Sequence, residues 1–243
     1  MIVFAAIAPH GDVDEPPELL AAMEELGARF DAAAPDATIV VTPHNVHVEG
    51  HFAVVTAAKV GEHEVDRELA AATIDALRAE GLPVVGISYG GNDATQAEHP
   101  LDWGTEIPLR FMRAAKVVVV CPARDRPLAE HIRAGEALAS NKLLQAKRIA
   151  LIASADQGHA HDPEGPYGFD AAAAEYDALA QEIVRSGELD FEPLARLVEA
   201  AKADSLWQML VFQGAVGRSA PEVELLAYAA PTYYGMLVAA VSR

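Results

Sequence analysis

Two histidines, His10 and His44, follow the same local pattern. Each comes directly after a proline, and each proline ends a short apolar run typical of a buried strand, residues 2–8 and 38–42. Proline has no N–H to donate to a sheet, so the next side chain lies just beyond the strand's end, where α/β sheets bind ligands. Either histidine alone would more often be a hydrogen-bonded loop residue. Together they predict a metal site, because imidazoles favour iron, zinc and copper.

A third, anionic ligand would complete a set of two histidines and one carboxylate, which leaves positions open on Fe(II) for substrate and dioxygen. The chain has 36 acidic residues, so composition does not select this ligand. Asp204 is a candidate because the apolar run that follows it predicts a buried helix whose first turn points into the protein. The alternative is that Asp204 only caps this helix, a role that aspartate fills well.

Two further histidines, His159 and His161, lie in a stretch rich in His, Asp, Gly and Pro, residues 155–168. An imidazole there could titrate near neutral pH and move a proton to or from a metal-bound substrate. The alternative is a turn held by side-chain hydrogen bonds. His63 and His131 fall in polar or helical-surface contexts, and we interpret both as structural.

Apolar strand patterns alternate with helical patterns along the chain, which predicts an α/β fold with a mainly parallel central sheet flanked by helices. The 243 residues predict a single domain, with two small domains as the alternative. The predicted strands cover residues 2–8, 38–42, 83–88, 116–121, 148–154 and 233–241, with residues 52–60 as an outlying hairpin strand. The first predicted helix starts at residue 16 or 17. The other predicted helices cover residues 64–80, 106–114, 126–144, 171–185, 191–200 and 205–216.

Composition excludes several function classes. The net charge of −18 offers no basic stripe for nucleic acid or for an anionic membrane surface. A single cysteine, Cys121, excludes an intramolecular disulfide and a multi-cysteine zinc site. The sequence has no dinucleotide fingerprint, no phosphate-binding P-loop and no serine-hydrolase elbow. With no signal-peptide pattern before residue 2, we expect a cytoplasmic protein.

An ordered set of short motifs resembles the LigB-type class III extradiol ring-cleavage dioxygenases, a family related to the Memo-like proteins. The resemblance runs over nearly the whole chain. Its pieces are Ala8-Pro9-His10, Thr42-Pro43-His44, Leu101-Asp-Trp-Gly-Thr105 with Ile107-Pro108-Leu109, Ala153-Ser-Ala-Asp-Gln-Gly-His159, Pro166-Tyr-Gly-Phe-Asp170 and Pro231-Thr-Tyr-Tyr-Gly-Met236.

This resemblance implies roles for particular residues. His10 and His44 would bind Fe(II), and His159 would be the acid/base. The family's third ligand is normally a glutamate before a buried helix near the C-terminus, and Asp204 matches that position best. Asp204 is one methylene shorter, so three other acidic residues remain candidates: Glu199, Glu222 and Glu224. The implied substrates are a catechol-type aromatic diol and O2, and the implied assembly is a homodimer.

Three residues are expected to contact substrate: Trp103, His161 and Tyr167. Relatives often carry histidine where this chain has Trp103, which bears on the choice of substrate more than on the metal.

Two other functions remain open at this stage. One is a non-catalytic, Memo-like protein that keeps the histidine pair for metal binding or interaction. The other is a zinc-dependent hydrolase in which the same histidines surround an activated water.

Overall fold

The structure is a computed structural model that describes residues 1–90, 92–93, 95–220 and 222–242. Its strands, in chain order, are β1 (Ile2–Ala8), β2 (Ala37–Val41), β3 (Phe52–Val55), β4 (Lys59–Val60), β5 (His63–Glu64), β6 (Val84–Ile87), β7 (Glu98–His99), β8 (Val117–Cys121), β9 (Ile149–Ser154), β10 (Glu224–Ala229) and β11 (Met236–Ser242). Its helices are α1 (Pro17–Ala33), α2 (Arg67–Ala79), α3 (Trp103–Leu109), α4 (Leu128–Ser140), α5 (Lys142–Gln145), α6 (Ala171–Ser186), α7 (Val198–Ala201) and α8 (Leu206–Val216), with a 3-10 helix at Glu192–Arg196.

Among these residues, eight strands form one sheet in the order β10-β11-β1-β9-β2-β8-β3-β6. The four central strands β1, β9, β2 and β8 are parallel to one another, whereas β11 runs antiparallel to β1 and β3 antiparallel to β8. Every residue of β2, β8 and β9 is buried, as expected for parallel strands covered by helices on both faces. The predicted fold class is confirmed.

The parallel centre brings the carboxyl ends of three strands together. Strand β9 lies between β1 and β2, and the register pairs Ala8 with Ser154 and Val41 with Ala153. The chain segments that follow β1, β2 and β9 therefore emerge side by side at one edge of the sheet.

Helix α8 packs against β1, β9 and α4. It is buried on almost all sides, as its apolar sequence predicts. Two glycines let α4 and α8 approach closely: a Cβ at Gly135 would lie 2.0 Å from the Val211 carbonyl oxygen, and one at Gly214 would lie 2.0 Å from that of Ile132. This close packing fixes how α8 lies against α4.

The structure corrects several predicted elements. Residues 52–60 do not form an outlying hairpin strand, because β3 pairs inside the main sheet and β4 joins a small sheet with β5 and β7. The predicted helix 106–114 begins earlier, at Trp103, because the Asp102 side chain caps it. The Asp66 side chain likewise caps α2, which begins at Arg67, later than predicted. Residues 126–144 divide into α4 and α5, and residues 191–200 into the 3-10 helix and α7.

Two further corrections concern burial. Strand β10, a half-exposed edge strand that pairs with β11, was not predicted. His131 is not on a helix surface but is fully buried, with its ring 5.0 Å from that of Phe52. Burial outweighs its hydrogen bonds to backbone carbonyls and lowers the pKa of His131 to about 4.

In the described part of the chain, no helix combines the length and apolarity that crossing a membrane requires.

Candidate metal centre

The two histidines that follow β1 and β2 lie together at the edge of the sheet. The Nε2 atoms of His10 and His44 are 2.9 Å apart, and their rings meet nearly at right angles. His10 is 3% exposed, whereas His44 is half-buried. The chain pattern of strand, proline and histidine therefore places two imidazole nitrogens at one point.

Asp204 supplies a carboxylate to the same point. Its Oδ2 atom lies 3.3 Å from His10 Nε2 and 3.1 Å from His44 Nε2. Its other oxygen, Oδ1, is buried without a hydrogen-bond partner among the described residues. The residue at the cap position of α8 is Ser205, and no side chain caps the helix. Asp204 thus faces the histidines instead of serving α8 as a cap.

The other acidic candidates do not join this group, which within the described residues consists of His10, His44 and Asp204. Glu199 is exposed at the rim of the adjacent cavity. Glu224 lies on edge strand β10, where its carboxylate accepts a hydrogen bond from Arg29.

The spacing of the three ligand atoms tests whether they fit a metal ion. Atoms about 2.1 Å from one ion are about 3.0 Å apart at right angles and about 3.4 Å apart at tetrahedral angles. The observed separations of 2.9, 3.1 and 3.3 Å are close to this range. The three residues therefore fit one metal ion.

The electrostatics of the cluster also favour a cation. Burial lowers the pKa of His10, but the charges of Asp156 and Asp204 outweigh burial and raise this pKa to about 9. Burial alone would raise the pKa of Asp204, yet the charge and hydrogen bond of His10 hold it well below its usual range. Burial and the charge of Asp204 raise the pKa of Asp156. The buried acidic groups therefore hold positive charge at His10, and a bound cation would supply it equally well.

Ser154, the last residue of β9, sets the tautomer of His10. Its hydroxyl donates to the Gly104 carbonyl oxygen and lies 3.0 Å from His10 Nδ1. Since the one hydroxyl proton is used on Gly104, Ser154 accepts from His10 Nδ1–H. In the neutral form that a metal ligand requires, this contact would leave the lone pair of Nε2 facing the ligand cluster, as second-shell contacts do in metal sites.

Asp102 holds the segment that carries His44. Its carboxylate accepts hydrogen bonds from Thr42 Oγ1 and Asn45 Nδ2, residues on either side of His44, at 2.8 and 2.9 Å. It also accepts from the Thr105 N–H at the start of α3. These contacts bring Trp103, the first residue of α3, over the His44 ring, with ring centroids 4.5 Å apart.

His159 lines a cavity of about 280 Å³ together with His44, Asp204 and Tyr167. Its Nδ1 donates to the Gln157 carbonyl oxygen at 2.9 Å, which fixes the orientation of the ring. The rings of Tyr167, Tyr233 and Tyr234 surround the imidazole, with centroids 6.0, 6.1 and 5.7 Å away.

The three residues predicted to contact substrate occupy different positions. Tyr167 lines the cavity, and Trp103 covers His44 with 55% of its surface exposed. His161 is not part of the lining found among the described residues. Its Nε2 instead lies 2.8 Å from the buried carboxylate of Asp177, which also accepts from Tyr228. A contact of His161 with substrate remains a prediction.

Sequence reasoning missed Arg124, which lines the same cavity. A signal was present, because Pro122 directly follows β8 as Pro9 directly follows β1. Ser154 and Asp156 were also missed as contributors to the cluster. Their contact with His10 depends on β9 lying next to β1, which local sequence does not reveal.

Comparison with known proteins places this geometry in a family. No curated protein matches the chain. Among solved structures, the uncharacterized protein JW3007 from Escherichia coli K12 is similar, with a TM-score of 0.65, 16% sequence identity, and coverage of 99% of this chain and 100% of that one. At this identity the likeness shows the fold alone. Residues 6–239 match the family described as the catalytic LigB subunit of aromatic ring-opening dioxygenase. The chain belongs to the LigB family.

Proposed function

We propose that this protein is an extradiol dioxygenase that cleaves a single-ring catechol with O2 at an Fe(II) ion held by His10, His44 and Asp204. The observation that carries the proposal is the convergence of two histidines and one carboxylate, whose ligand atoms lie 2.9 to 3.3 Å apart and could bind one ion. Membership in the LigB family supports the reaction class.

When bound, Fe(II) would supply open coordination positions for an aromatic diol and dioxygen, together with the redox chemistry. Overall, both oxygen atoms enter the product, the ring carbons are oxidised, and no external reductant is consumed. The product is a ring-opened semialdehyde acid.

The chain's own residues would orient the substrate and move its protons. Because its Nδ1–H is held by the Gln157 carbonyl oxygen, Nε2 is the ring nitrogen of His159 that remains for a substrate in the cavity. It is therefore placed to take a proton from a diol hydroxyl and to return it later. The rings of Tyr167 and Tyr234 pack around this imidazole, with centroids 6.0 and 5.7 Å away, and would help to hold it in place.

The size of the cavity favours a small substrate. A cavity of about 150 Å³ accommodates benzene in another protein, so a volume of about 280 Å³ suits one ring with a few substituents. Tyr167 on the lining and Trp103 over His44 offer aromatic faces to such a ring.

Anaerobic reconstitution tests the proposal. We expect one Fe(II) per chain, O2 uptake with catechols, and a new near-ultraviolet or visible absorption band from the ring-opened product. His10→Ala and His44→Ala should lose the iron but keep the fold. His63→Ala is the matched control, because His63 lies on β5, outside the cluster.

The rival functions give different results in the same assays. Ester or amide hydrolysis that persists aerobically with Zn(II) would support the hydrolase. A protein that binds metal but is inert in both assays would be the non-catalytic, Memo-like relative.

A further inference from the structure

Asp177, on helix α6, is an almost completely buried carboxylate, with 1% of its surface exposed. It is not part of the cavity lining found among the described residues. No lysine or arginine of the described chain forms an ion pair with it, and its one such partner is the imidazole of His161. Burying an ionised group is costly unless hydrogen bonds compensate, so the partners of Asp177 indicate what this carboxylate holds in place.

Three hydrogen-bond donors meet at the Asp177 carboxylate. Its Oδ1 atom accepts from the Gly158 N–H at 2.7 Å. Its Oδ2 atom lies 2.8 Å from His161 Nε2 and accepts from the Tyr228 hydroxyl at 2.7 Å. Burial and the charge of Asp177 raise the pKa of Tyr228, so its phenol stays protonated and donates. Gly158 and His161 lie on either side of His159 in the chain, so Asp177 holds the segment that carries this imidazole.

Gly235 leaves the space that this carboxylate occupies. A Cβ at Gly235 would collide with Asp177 Oδ2, so a larger residue there would displace the carboxylate. Gly235 also donates to the Gly158 carbonyl oxygen at 2.9 Å and accepts from the Gln157 N–H at 2.7 Å. The backbone of Gly158 is therefore held from two sides, by Gly235 through its carbonyl oxygen and by Asp177 through its N–H.

The position of Gly158 sets the direction of the His159 imidazole. His159 follows Gly158 directly, and its Nδ1 donates to the carbonyl oxygen of Gln157, the residue on the other side of Gly158. These contacts tie the imidazole to the piece of backbone that Asp177 holds. A shift of Gly158 would move the imidazole relative to the cavity, and displacement of a catalytic group by about 1 Å can lower a rate by about 100-fold.

We propose that Asp177 is a positioning residue for His159: through the Gly158 N–H it holds the imidazole where it exchanges protons with the substrate. The inference rests on the proposed function, in which His159 is the acid/base. The alternative is that Asp177 only stabilises the fold. Asp66 provides the matched comparison, because it is also buried and its carboxylate also accepts from a backbone N–H, that of Leu69 on α2, at 3.0 Å.

Iron-loaded variants test the proposal kinetically. Asp177→Ala should lower kcat for catechol by about 10- to 100-fold, with KM and iron content close to those of wild type. Asp177→Asn should retain most of the activity, because its amide oxygen can still accept from Gly158 while its NH2 group faces the other two partners. Added to His159→Ala, Asp177→Ala should lower kcat little further, since residues that act as a unit are not additive. Asp66→Ala should leave kcat unchanged.

The tautomer of His159 in the metal-free, full-length protein gives a measurement that needs no turnover. Nitrogen NMR at alkaline pH, where imidazole is neutral, distinguishes the Nδ1–H from the Nε2–H tautomer, and the His159 signal is the one absent from His159→Ala. We expect the Nδ1–H tautomer in wild type and in Asp66→Ala, and a mixture of both tautomers in Asp177→Ala. If Asp177→Ala does not fold, exchange of the Gly158 amide hydrogen in wild type decides, and slow exchange is expected for a donor to a buried carboxylate.

The outcomes separate the two proposals. Wild-type kcat in folded Asp177→Ala, or an equal loss of kcat in Asp66→Ala, would overturn the role of Asp177 and leave the dioxygenase function standing. Fast exchange of the Gly158 amide, or a loss in Asp177→Asn as large as in Asp177→Ala, would also overturn it. Absence of ring cleavage with every catechol would overturn the proposed function. A tautomer mixture confined to Asp177→Ala would then still support the positioning of His159, and an unchanged tautomer would refute it.

Discussion

Replacing Ser154 with alanine is expected to weaken iron binding while leaving the protein folded. Ser154 is fully buried, and its hydroxyl accepts the His10 Nδ1–H at 3.0 Å. Without it, His10 Nδ1 keeps a proton with no acceptor, and at 3% exposure His10 is out of reach of bulk water. The imidazole becomes a weaker donor to the metal and loses the contact that fixes its rotation.

The expected magnitude follows from these contacts. Loss of a second-shell partner costs about 10- to 100-fold in metal affinity, which corresponds to about 1.4 to 2.7 kcal/mol. The unsatisfied buried donor should lower the free energy of unfolding by about 1 to 3 kcal/mol. Since a domain is stable by about 5 to 15 kcal/mol, Ser154→Ala should remain folded.

Two measurements on each variant separate affinity from stability: the Fe(II) dissociation constant from anaerobic competition with a chromophoric chelator, and urea unfolding of the metal-free protein. Ser205→Ala is the control, because Ser205 is also fully buried and lies 2.8 Å from Tyr176 and 3.2 Å from Gln157 through its hydroxyl, without touching His10. It should lose stability but bind iron like wild type. Iron affinity in Ser154→Ala within twofold of wild type would refute the role given to Ser154.

Three other predictions follow from the structure. His159→Ala should keep the iron but lower kcat by about 10²- to 10⁴-fold, as iron content and O2 uptake would show; loss of iron would contradict the division of roles. Because the folded pKa of His131 is about 4 and its ordinary value is 6.5, its contribution to stability is present above pH 6.5 and is lost as the pH falls towards 4. Between pH 7 and pH 5, the free energy of unfolding of His131→Leu, measured with urea, should therefore fall by about 2 kcal/mol less than that of wild type. Equal decreases in the two proteins would be inconsistent with a buried neutral imidazole. Gly214→Ala, which places a methyl group against the Ile132 carbonyl oxygen, should lower the unfolding free energy by about 1 to 3 kcal/mol. Gly81→Ala, at an exposed turn where an added Cβ would meet no atom within 4 Å, serves as a comparison that tests only the strain of a positive φ.

Local sequence was enough to predict the fold class and the edge of the sheet where the site lies. A β-branched run followed by proline identifies both a buried strand and the point at which it ends, because strand propensity and the missing N–H act on neighbouring residues. That is why His10 and His44 could be predicted to lie at strand ends. The apolar run after Asp204 predicted a buried helix, because a helix that is apolar on all sides packs in the interior. Helix α8 is buried in the structure.

Tertiary structure alone decided which of these residues meet. Strand order is set by packing across the whole sheet, and only with β9 between β1 and β2 does Ser154 reach His10. The close approach of α8 to α4 and the sheet places Asp204 Oδ2 3.3 Å from His10 Nε2, although 194 positions of sequence separate the two residues. Local sequence could not predict the positions of Arg124 and His131 either. Arg124 lines the cavity and His131 is buried in the core, and both positions depend on neighbours that are distant in the chain.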